Sequence, residues 1–518
     1  MTTASPSPGR LVILGGGTAG WLAAAHFSRA LGLRGVTLIE SADIGTIGVG
    51  EGTFPTIRST LASLKVSEAE FLRESSASFK QGVLFDGWAT GADSYFHPFN
   101  LPFGGDDDAL LPYWIADRSP QRRAYADAVT AQERVIRAGL APKRSQDPDF
   151  SGPMNYAYHF DAARFAAFLR RISEAAGVTR IEGTVASVAQ DESGDITELT
   201  LADGRTVTGD FFIDCSGFRA KLIGETLGSG FRSVGKHLFN DRALALQVPY
   251  ASPDEAIRPY TLATAHQAGW TWDIGLDTRR GTGYVFSSAH ATDEEAEATL
   301  RRYVGTAGDG LEPRMLRFET GYRDRQWIGN CVAVGLSAGF FEPLESTGIM
   351  LIEVACKMIG DFLVSPDRAA RDAAARSFNR IMAGRFDRIV DFLKLHYCVT
   401  RRTDTAYWRD NADAASIPER LQDLLVQWRH RPPSRFDFIV DLETFLPASY
   451  QYILYGMGFE TKLAQPQRYK ESAQAASAFI RVAQAGAQAS QHLPPHRALL
   501  ASYTAAPAAK LSSVKGQS

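Results

Sequence analysis

The sequence has 518 residues, of which 45% are hydrophobic and 22% are charged. This length and composition predict a globular protein with a substantial core, arranged as two domains or as one large elaborated domain. Lys and Arg number 55 against 58 Asp and Glu, so the formal net charge is -3. This balance argues against nucleic acid or an anionic membrane as the main partner, although it is compatible with one local basic pocket.

The amino-terminal segment 1–10 lacks the basic start, the apolar run and the cleavage site of a signal peptide. Because no apolar run is long enough to span a bilayer, we expect a cytoplasmic protein with no membrane partner. The four cysteines are scattered, without CxxC or His–Cys ligand spacing. Buried thiols are therefore favoured over a zinc site or a disulfide, and we expect no bound metal.

The chain begins with a β-α-β pattern, in which an apolar strand, a glycine cluster and a helix lead to a second strand ending in Glu40. Later segments alternate short strands with turns, and the last third reads as helical, with a break at Pro432 and Pro433. Strands are expected at 11–14, 36–39, 211–214 and 332–335, short strands and turns at 178–212, and helices at 18–31 and over most of 349–485.

The segment GGGTAG at 15–20 matches G-x-G-x-x-G between a strand and a helix. Here the first glycine permits the tight turn, the second lets the backbone approach a pyrophosphate at the positive helix end, and the third allows close helix–strand packing. Glu40 lies where a carboxylate can hold a ribose hydroxyl, so a purely structural glycine turn is the weaker alternative. The residues assigned to the dinucleotide are Gly15, Gly17, Thr18, Ala19, Gly20 and Glu40.

Two later segments favour FAD over NAD. DCSG at 214–217 closes a strand, and VGLSAG at 334–339 lies between a strand and a helix. In a flavoprotein such a late loop can meet the ribityl chain and the isoalloxazine ring, whereas an NAD domain does not need it. The predicted fold is therefore α/β, with an FAD-binding Rossmann-type core of the glutathione-reductase/PHBH-like kind, a β-rich substrate insert and a mostly helical C-terminal region.

With these motifs in place, the chain resembles the flavin-dependent halogenases of the tryptophan-halogenase type, from about Leu11 to Gly458. TIGVGEGTFP at 46–55 resembles the family's flavin-contacting strap, in which position 52 is usually Ala rather than Gly. The resemblance implies a halogenase catalytic module at 1–350, interrupted by the β-rich insert, a helical substrate-side region at 351–500 and a flexible tail at 501–518. Further cofactor contacts are expected from Gly50, Gly52, Val185, Gly335, Leu336 and Ile349.

GWTWDIG at 269–275 resembles the family's W-x-W-x-I-P motif, with Gly275 in place of Pro. Trp270 and Trp272 face one side of a strand. The resemblance places them, with Ile274, between flavin and substrate, where bulky rings prevent direct oxygenation of the substrate. Taken alone, Trp-x-Trp more often indicates core packing.

Lys80, in SFKQG at 78–82, matches the family's catalytic lysine, whereas a lysine in a helix is otherwise nearly always a solvated surface charge. In the family, reduced FAD and oxygen convert chloride or bromide to hypohalous acid. The lysine then either donates a hydrogen bond to that acid or forms a haloamine, and burial would favour the second route by lowering the lysine pKa.

FFEPLESTGI at 340–349 closely resembles a further family motif, in which Glu345 matches the second catalytic residue. Such a carboxylate can polarise the oxidant or accept the ring proton. Thr347 and Gly348 match the halide site, because backbone N–H groups at a helix start favour an anion. Capping of the helix by Glu345 and Ser346 is an alternative that is compatible with catalysis.

The substrate site is expected at His97 and Phe99, which resemble a pair that sandwiches an indole, with Phe445 as a third ring. Taken alone, Phe99 is explained equally well as a core side chain, and His97 as a surface side chain. Tryptophan-specific members bind the amino-acid groups with paired tyrosines and a glutamate. The stretch 432–447 has no Tyr-Tyr pair, and its acids Asp437, Asp441 and Glu443 do not match.

The sequence thus predicts an FADH2-dependent halogenase of an indole-like or other electron-rich aromatic substrate, not specific for free tryptophan. A phenol, a pyrrole or a carrier-tethered substrate remains an alternative. No second nucleotide-binding fingerprint is present, so a separate flavin reductase is expected to supply FADH2. A flavin-dependent aromatic monooxygenase and a flavin binder without catalysis are the competing functions, and the pair Lys80 and Glu345 argues against both.

Overall fold

The computed structural model describes residues 9–41, 50–104, 110–363, 367–439, 442–469 and 472–504. The strands in these residues are β1 Leu11–Leu14, β2 Val36–Glu40, β3 Gly50–Gly52, β4 Ser78–Lys80, β5 Gly82–Asp86, β6 Ser94–Pro98, β7 Ala157–Asp161, β8 Thr179–Glu182, β9 Val185–Gln190, β10 Ile196–Leu201, β11 Thr206–Thr208, β12 Phe211–Asp214, β13 Phe231–Ser233, β14 Arg242–Pro249, β15 Thr261–Ala265, β16 Gly269–Gly275, β17 Arg279–Phe286, β18 Arg314–Arg317, β19 Gly321–Arg323, β20 Trp327–Ile328, β21 Cys331–Ala333 and β22 Gly339–Phe340. The α-helices are α1 Thr18–Ala25, α2 Ile57–Ser63, α3 Glu68–Glu74, α4 Leu111–Ala116, α5 Tyr125–Val129, α6 Gln132–Arg137, α7 Ala162–Ala175, α8 Asp293–Val304, α9 Thr347–Phe362, α10 Arg368–Cys398, α11 Ala406–Ala412, α12 Glu419–Trp428, α13 Pro447–Gly456, α14 Ala473–His492 and α15 His496–Thr504.

The nucleotide-binding core is a six-stranded sheet in the order β20-β21-β12-β1-β2-β8. All neighbours are parallel except β20, which pairs antiparallel with β21. Both faces of β1 are buried: Leu11 and Ile13 join the main core, and Val12 and Leu14 pack in a second cluster with residues of β9 and β10. Helix α1 packs against α7 and α9. The expected Rossmann-type core is therefore confirmed.

A second, seven-stranded sheet forms the β-rich insert, in the order β18-β14-β17-β16-β15-β5-β6. Its neighbours are antiparallel except for β5 and β15. A small sheet, β3-β7-β4, places the strap strand and the Lys80 strand on either side of β7. Lys80 therefore lies on a strand, not on the expected helix, because Ser78–Lys80 is fixed by its pairing with β7.

The C-terminal part is mostly helical, as expected, and the Pro432–Pro433 break falls between α12 and α13. The main hydrophobic core includes Ile13 of the first sheet, Trp270 of the second and Phe386 of α10, so these parts share one core. Every helix among the described residues is too short or too polar to cross a lipid bilayer. Helix α15 reaches Thr504, so the expected tail at 501–518 begins with helical residues. Segments 1–8, 46–49 of the strap, Asp441 and 505–518 lie outside the described residues.

Gly15→Ala is predicted to destabilise the fold. Gly15 has a φ of +121°, and a Cβ there would lie 2.1 Å from the carbonyl oxygen of Cys215. Since a backbone atom cannot move aside cheaply, we expect a loss of more than about 2 kcal/mol, measured as a lower Tm. Gly17→Ala is the matched control, because nothing lies within 4 Å of a Cβ at that position. Equal Tm values for the two variants would contradict the prediction that the fold requires glycine at position 15.

Candidate active site

The loop between β1 and α1 forms an open backbone cradle. Gly17 is the N-cap of α1, with a φ of −78°, no side-chain cap and no acidic residue in the first helical turn. Within the described part of the chain, no atom lies within 4 Å of a Cβ built on Gly17. A Cβ on Gly335 would lie 2.7 Å from the Cβ of Ala19, so the late loop packs directly on the glycine-rich one. This open, positively polarised cradle fits the pyrophosphate of FAD.

The other residues that were assigned to the cofactor lie on several different elements. Glu40 accepts a hydrogen bond from Trp21 Nε1 at 3.1 Å and pairs with the Arg180 guanidinium, which orients its carboxylate beside Gly16. Val185 is buried in the cluster that also contains Leu14. Leu336 lies half-buried in the late loop, and Ile349 is buried in the first turn of α9.

Strand β3 of the strap lies between the tryptophan motif and the lysine. A Cβ on Gly50 would lie 2.7 Å from Ile274 Cδ1, and a Cβ on Gly52 would lie 2.7 Å from Ser346 Oγ and 3.1 Å from Lys80 Nζ. Glycine at position 52, where the family usually has Ala, thus leaves room for the contact between Lys80 and Ser346.

Lys80 is completely buried. Its Nζ donates a hydrogen bond to Ser346 Oγ at 2.9 Å and lies 5.4 Å from the centre of the Phe99 ring. Burial lowers the pKa of Lys80 to about 8, and the charge of Glu345 opposes part of that shift. The side chain is therefore mostly an ammonium ion at neutral pH, but one that gives up its proton more easily than a surface lysine does.

Glu345 is 2% exposed, and two histidines share one of its oxygens. Oε1 is bonded to His97 Nδ1 at 2.7 Å and to His396 Nε2 at 3.1 Å, whereas Oε2 is buried and has no hydrogen-bond partner among the described residues. Burial alone would raise the pKa of Glu345, but the charge and hydrogen bonds of His97 and His396 outweigh it and hold the pKa below its ordinary value. Glu345 is therefore a carboxylate at neutral pH with one available oxygen.

The backbone at Glu345 and Ser346 is strained. Their φ angles are +63° and +57°, so two consecutive residues with side chains occupy the left-handed region, at a typical cost of about 1–3 kcal/mol each. Ser346 is the N-cap of α9 but makes no side-chain cap bond; its hydroxyl accepts from Lys80 instead. The capping alternative is therefore not seen for Ser346, and the first N–H groups of α9, including those of Thr347 and Gly348, lack partners within the helix.

Trp270 and Trp272 are both buried on β16, with ring centres 6.5 Å apart. Trp270 Nε1 lies 3.5 Å from Glu342 Oε2, and the Trp272 ring occupies the space above Gly283. Of this motif, Ile274 packs against the strap strand at Gly50.

The expected substrate residues belong to one aromatic cluster. The Phe54 ring lies 6.0 Å from Phe99 and 5.2 Å from Phe445, and Phe445 stacks on Phe392 at 3.7 Å. The His97 ring lies 6.0 Å from Phe392, and its side chain is buried rather than at the surface. The structure thus brings His97, Phe99 and Phe445 together next to Lys80 and Glu345.

Sequence reasoning missed Phe54, Phe392 and His396, and it treated Ser346 only as a cap. His396 lies 51 residues after Glu345, on a part of α10 where nearly every side chain is buried. In the sequence, His396 is marked only as a histidine within an apolar stretch of helix. A histidine that merely packs in the core gives the same pattern, so the sequence does not distinguish the two roles.

The comparisons with known proteins show which family this chain belongs to. The tryptophan halogenase family model matches residues 10–477. The tryptophan 6-halogenase SttH of Streptomyces toxytricini is 36% identical over 87% of this chain and 90% of its own. The tryptophan 7-halogenase RebH of Lentzea aerocolonigenes is 37% identical over 81% and 82%.

The chain also matches solved structures of halogenases. A tryptophan halogenase from Shewanella frigidimarina superposes with a TM-score of 0.90 and 40% identity, covering 96% of this chain and 97% of its own. BrvH, a flavin-dependent halogenase from Brevundimonas sp., has a TM-score of 0.85 and 35% identity over 95% and 99%. The chain therefore belongs to the tryptophan-halogenase family and is a flavin-dependent halogenase.

Proposed function

We propose that the protein uses reduced FAD, oxygen and chloride or bromide to form hypohalous acid, which Lys80 and Glu345 direct onto an electron-rich aromatic ring. One observation carries this proposal: a buried ammonium and a buried carboxylate with an unpartnered oxygen adjoin the same aromatic cluster. Isolated buried charges are costly, so such a pair is a strong indication of chemistry.

The cofactor and the halide have separate binding elements. The cradle of Gly15, Gly17 and Gly20 would hold the FAD pyrophosphate, and the backbone N–H groups of Thr347 and Gly348 would hold the halide at the positive end of α9. When bound, reduced FAD would supply the electrons that activate oxygen, and oxygen would oxidise the halide to hypohalous acid. The buried rings of Trp270 and Trp272 would keep the aromatic substrate away from the cofactor and so prevent hydroxylation.

The two charged residues then divide the transfer step. As the ring attacks the halogen, the carbon–halogen bond forms and the oxygen–halogen bond breaks, and the Lys80 ammonium gives a proton to the departing hydroxide to make water. Glu345 Oε2 accepts the proton that the ring carbon loses, which restores aromaticity. Both residues exchange protons with solvent to complete the cycle. The Lys80 ammonium, already a donor to Ser346, favours this route over a haloamine at neutral pH.

The substrate is proposed to be an indole or related small aromatic compound without an amino-acid head group. The relatives named as tryptophan halogenases make tryptophan the competing substrate. Of the acids at 432–447, Asp437 is held by Arg431 and Trp428, and Glu443 lies 3.3 Å from Arg388. Asp437 is therefore engaged within the protein, whereas both oxygens of Glu443 lack a hydrogen-bond partner among the described residues. The proposed absence of an amino-acid clamp thus rests on Asp437 and on the missing tyrosine pair at 432–447. A separate flavin reductase is proposed to supply FADH2.

Bromination of free indole without bromination of tryptophan is the expected result when the protein is incubated with FAD, NADH, a generic flavin reductase and bromide. Mass spectrometry of the products measures it. Bromotryptophan as the main product would contradict the proposed substrate class. Hydroxylated products that form without halide would contradict the proposed function and support a monooxygenase.

Lys80→Met is predicted to abolish halogenation while FAD binding and release of hypohalous acid, followed with a small-molecule scavenger, persist. The variant should also be more stable than the wild type at pH 7, by up to about 3 kcal/mol, because it removes the cost of burying a charge. Between its folded pKa of about 8 and the ordinary 10.5, the folded wild type binds fewer protons than the unfolded chain. The free energy of unfolding of the wild type therefore rises with pH between about 8 and 10.5. Over that range, the Tm of the wild type approaches the Tm of Lys80→Met.

Lys143→Met is the matched control for this substitution. Lys143 is equally buried but forms an ion pair with the buried Glu68, so its removal strands a carboxylate and should lower Tm. Normal halogenation by Lys80→Met, or an equal loss of Tm in both variants, would refute the assignment of Lys80.

Glu345→Gln is predicted to lower the halogenation rate by about 100-fold or more, because an amide keeps the shape of the side chain but cannot accept the ring proton. Hypohalous acid formation and Tm should stay near wild-type values. An unchanged halogenation rate would mean that Glu345 only supports the turn before α9.

A further inference from the structure

His396 is the buried partner of Glu345 that the catalytic scheme above does not yet use. Its side chain is fully buried on α10. Its ring centre lies 5.0 Å from that of Phe392, 5.1 Å from that of Phe85 and 6.2 Å from that of Trp88. Among the described residues, its polar contacts are the two that its ring nitrogens make.

Both nitrogens of His396 contact groups that can only accept a hydrogen bond. Nδ1 lies 2.9 Å from the backbone carbonyl oxygen of Phe392, and Nε2 lies 3.1 Å from Glu345 Oε1. A carbonyl has no proton to give, and neither has an ionised carboxylate. A neutral imidazole carries a single N–H, so it would leave one of these contacts as two opposed lone pairs. Both contacts are satisfied only by a ring that carries a proton on each nitrogen.

His496 shows the contrasting arrangement within the same chain. Its Nδ1 lies 3.0 Å from the carbonyl oxygen of Ile257, but its Nε2 accepts a hydrogen bond from the backbone N–H of Phe79 at 3.0 Å. One donor and one acceptor satisfy a neutral ring, and burial lowers the pKa of His496 to about 4. The two buried histidines differ in what their Nε2 atoms face.

We propose that His396 is a positioning residue: as an imidazolium it binds Oε1 of Glu345 together with His97, and so reserves Oε2 for the proton of the substrate ring. The ring-proton part rests on the proposed function, whereas the protonation of His396 stands on its own hydrogen bonds. Two donors on one oxygen fix the carboxylate plane and leave Oε2 as the basic atom.

The electrostatics of the cluster support an imidazolium at this position. Burying a cation is costly, but the adjacent carboxylate and the surrounding aromatic faces offset the cost. Among the described residues, the titratable groups that interact with Glu345 are Lys80 on β4, Tyr95 and His97 on β6, and His396 on α10. Burial raises the pKa of the Tyr95 hydroxyl, so it stays neutral. Removing the charge of His396 should therefore raise the pKa of Glu345, because the upward effect of burial would then be countered by His97 without His396.

The protonation of His396 can be tested without turnover. Protein labelled with ¹⁵N-histidine has ten histidines to resolve, and the His396 resonances are those missing from His396→Gln. At pH 7 we expect both ring nitrogens of His396 to show imidazolium shifts and those of His496 to show a neutral tautomer. In Glu345→Gln, His396 should become neutral. A neutral His396 in the wild type would overturn the inference, even if the protein proves to be a halogenase.

The positioning role is tested by substitution. His396→Gln keeps a neutral N–H donor near Nε2, whereas His396→Leu removes donor and charge. We expect His396→Gln to retain FAD binding and hypohalous acid release, to halogenate about tenfold more slowly or worse, and to move the acidic limb of its pH–rate profile to higher pH. His396→Leu should lose more activity; if it does not fold, the Gln variant decides.

His290→Gln is the matched control, because His290 pairs with a carboxylate, Asp410, at 3.0 Å outside the active site. Its rate and pH profile should match those of the wild type. A wild-type rate and an unmoved acidic limb in His396→Gln would overturn the positioning role, and so would an equal change in His290→Gln. An inactive wild type with an imidazolium at His396 would instead count against the proposed function alone.

Discussion

The ionisation of one buried carboxylate is the condition on which the rest of this active site depends. Burial by itself would raise the pKa of Glu345 and so favour the protonated acid, which could not accept a proton from a substrate ring. Two histidines on different elements, a strand and a helix, supply the opposing interaction. The lysine is then the counterpart: its charge is also buried, and the glutamate keeps the lysine pKa from falling further. Glu345 thus depends on His97 and His396, and the Lys80 ammonium depends in part on Glu345.

This arrangement also explains why the turn before α9 tolerates its unfavourable backbone. Glu345 and Ser346 both occupy the left-handed region, and both are held by side chains from distant segments. Ser346 accepts from Lys80 on β4, and Glu345 is bonded to β6 and α10. Backbone strain of this kind persists when several independent contacts hold the residue in the same conformation. The same contacts that hold the turn therefore hold the reacting groups.

Local patterns in the sequence were sufficient to predict the first β-α-β unit and the glycine loop, because apolar runs and a glycine at a tight turn leave direct signatures. The Lys80 strand was mistaken for a helix, since its three residues carry no period of their own and are fixed by pairing with β7. Resemblance alone directed attention to Lys80 and Glu345. The partnership of His396 with Glu345 could not be predicted, because it depends on the packing of α10 against the second sheet and on which atom each nitrogen faces.

The order of strands in the small sheet has a mechanical consequence. The strap strand and the lysine strand are not paired with each other; β7 lies between them and is hydrogen-bonded to both. A sheet of three short strands resists stretching across its ladders, so it acts as a spacer of fixed width. In the proposed enzyme, this spacing would hold the strap and the strand of Lys80 at a constant separation while the loops around the substrate rearrange.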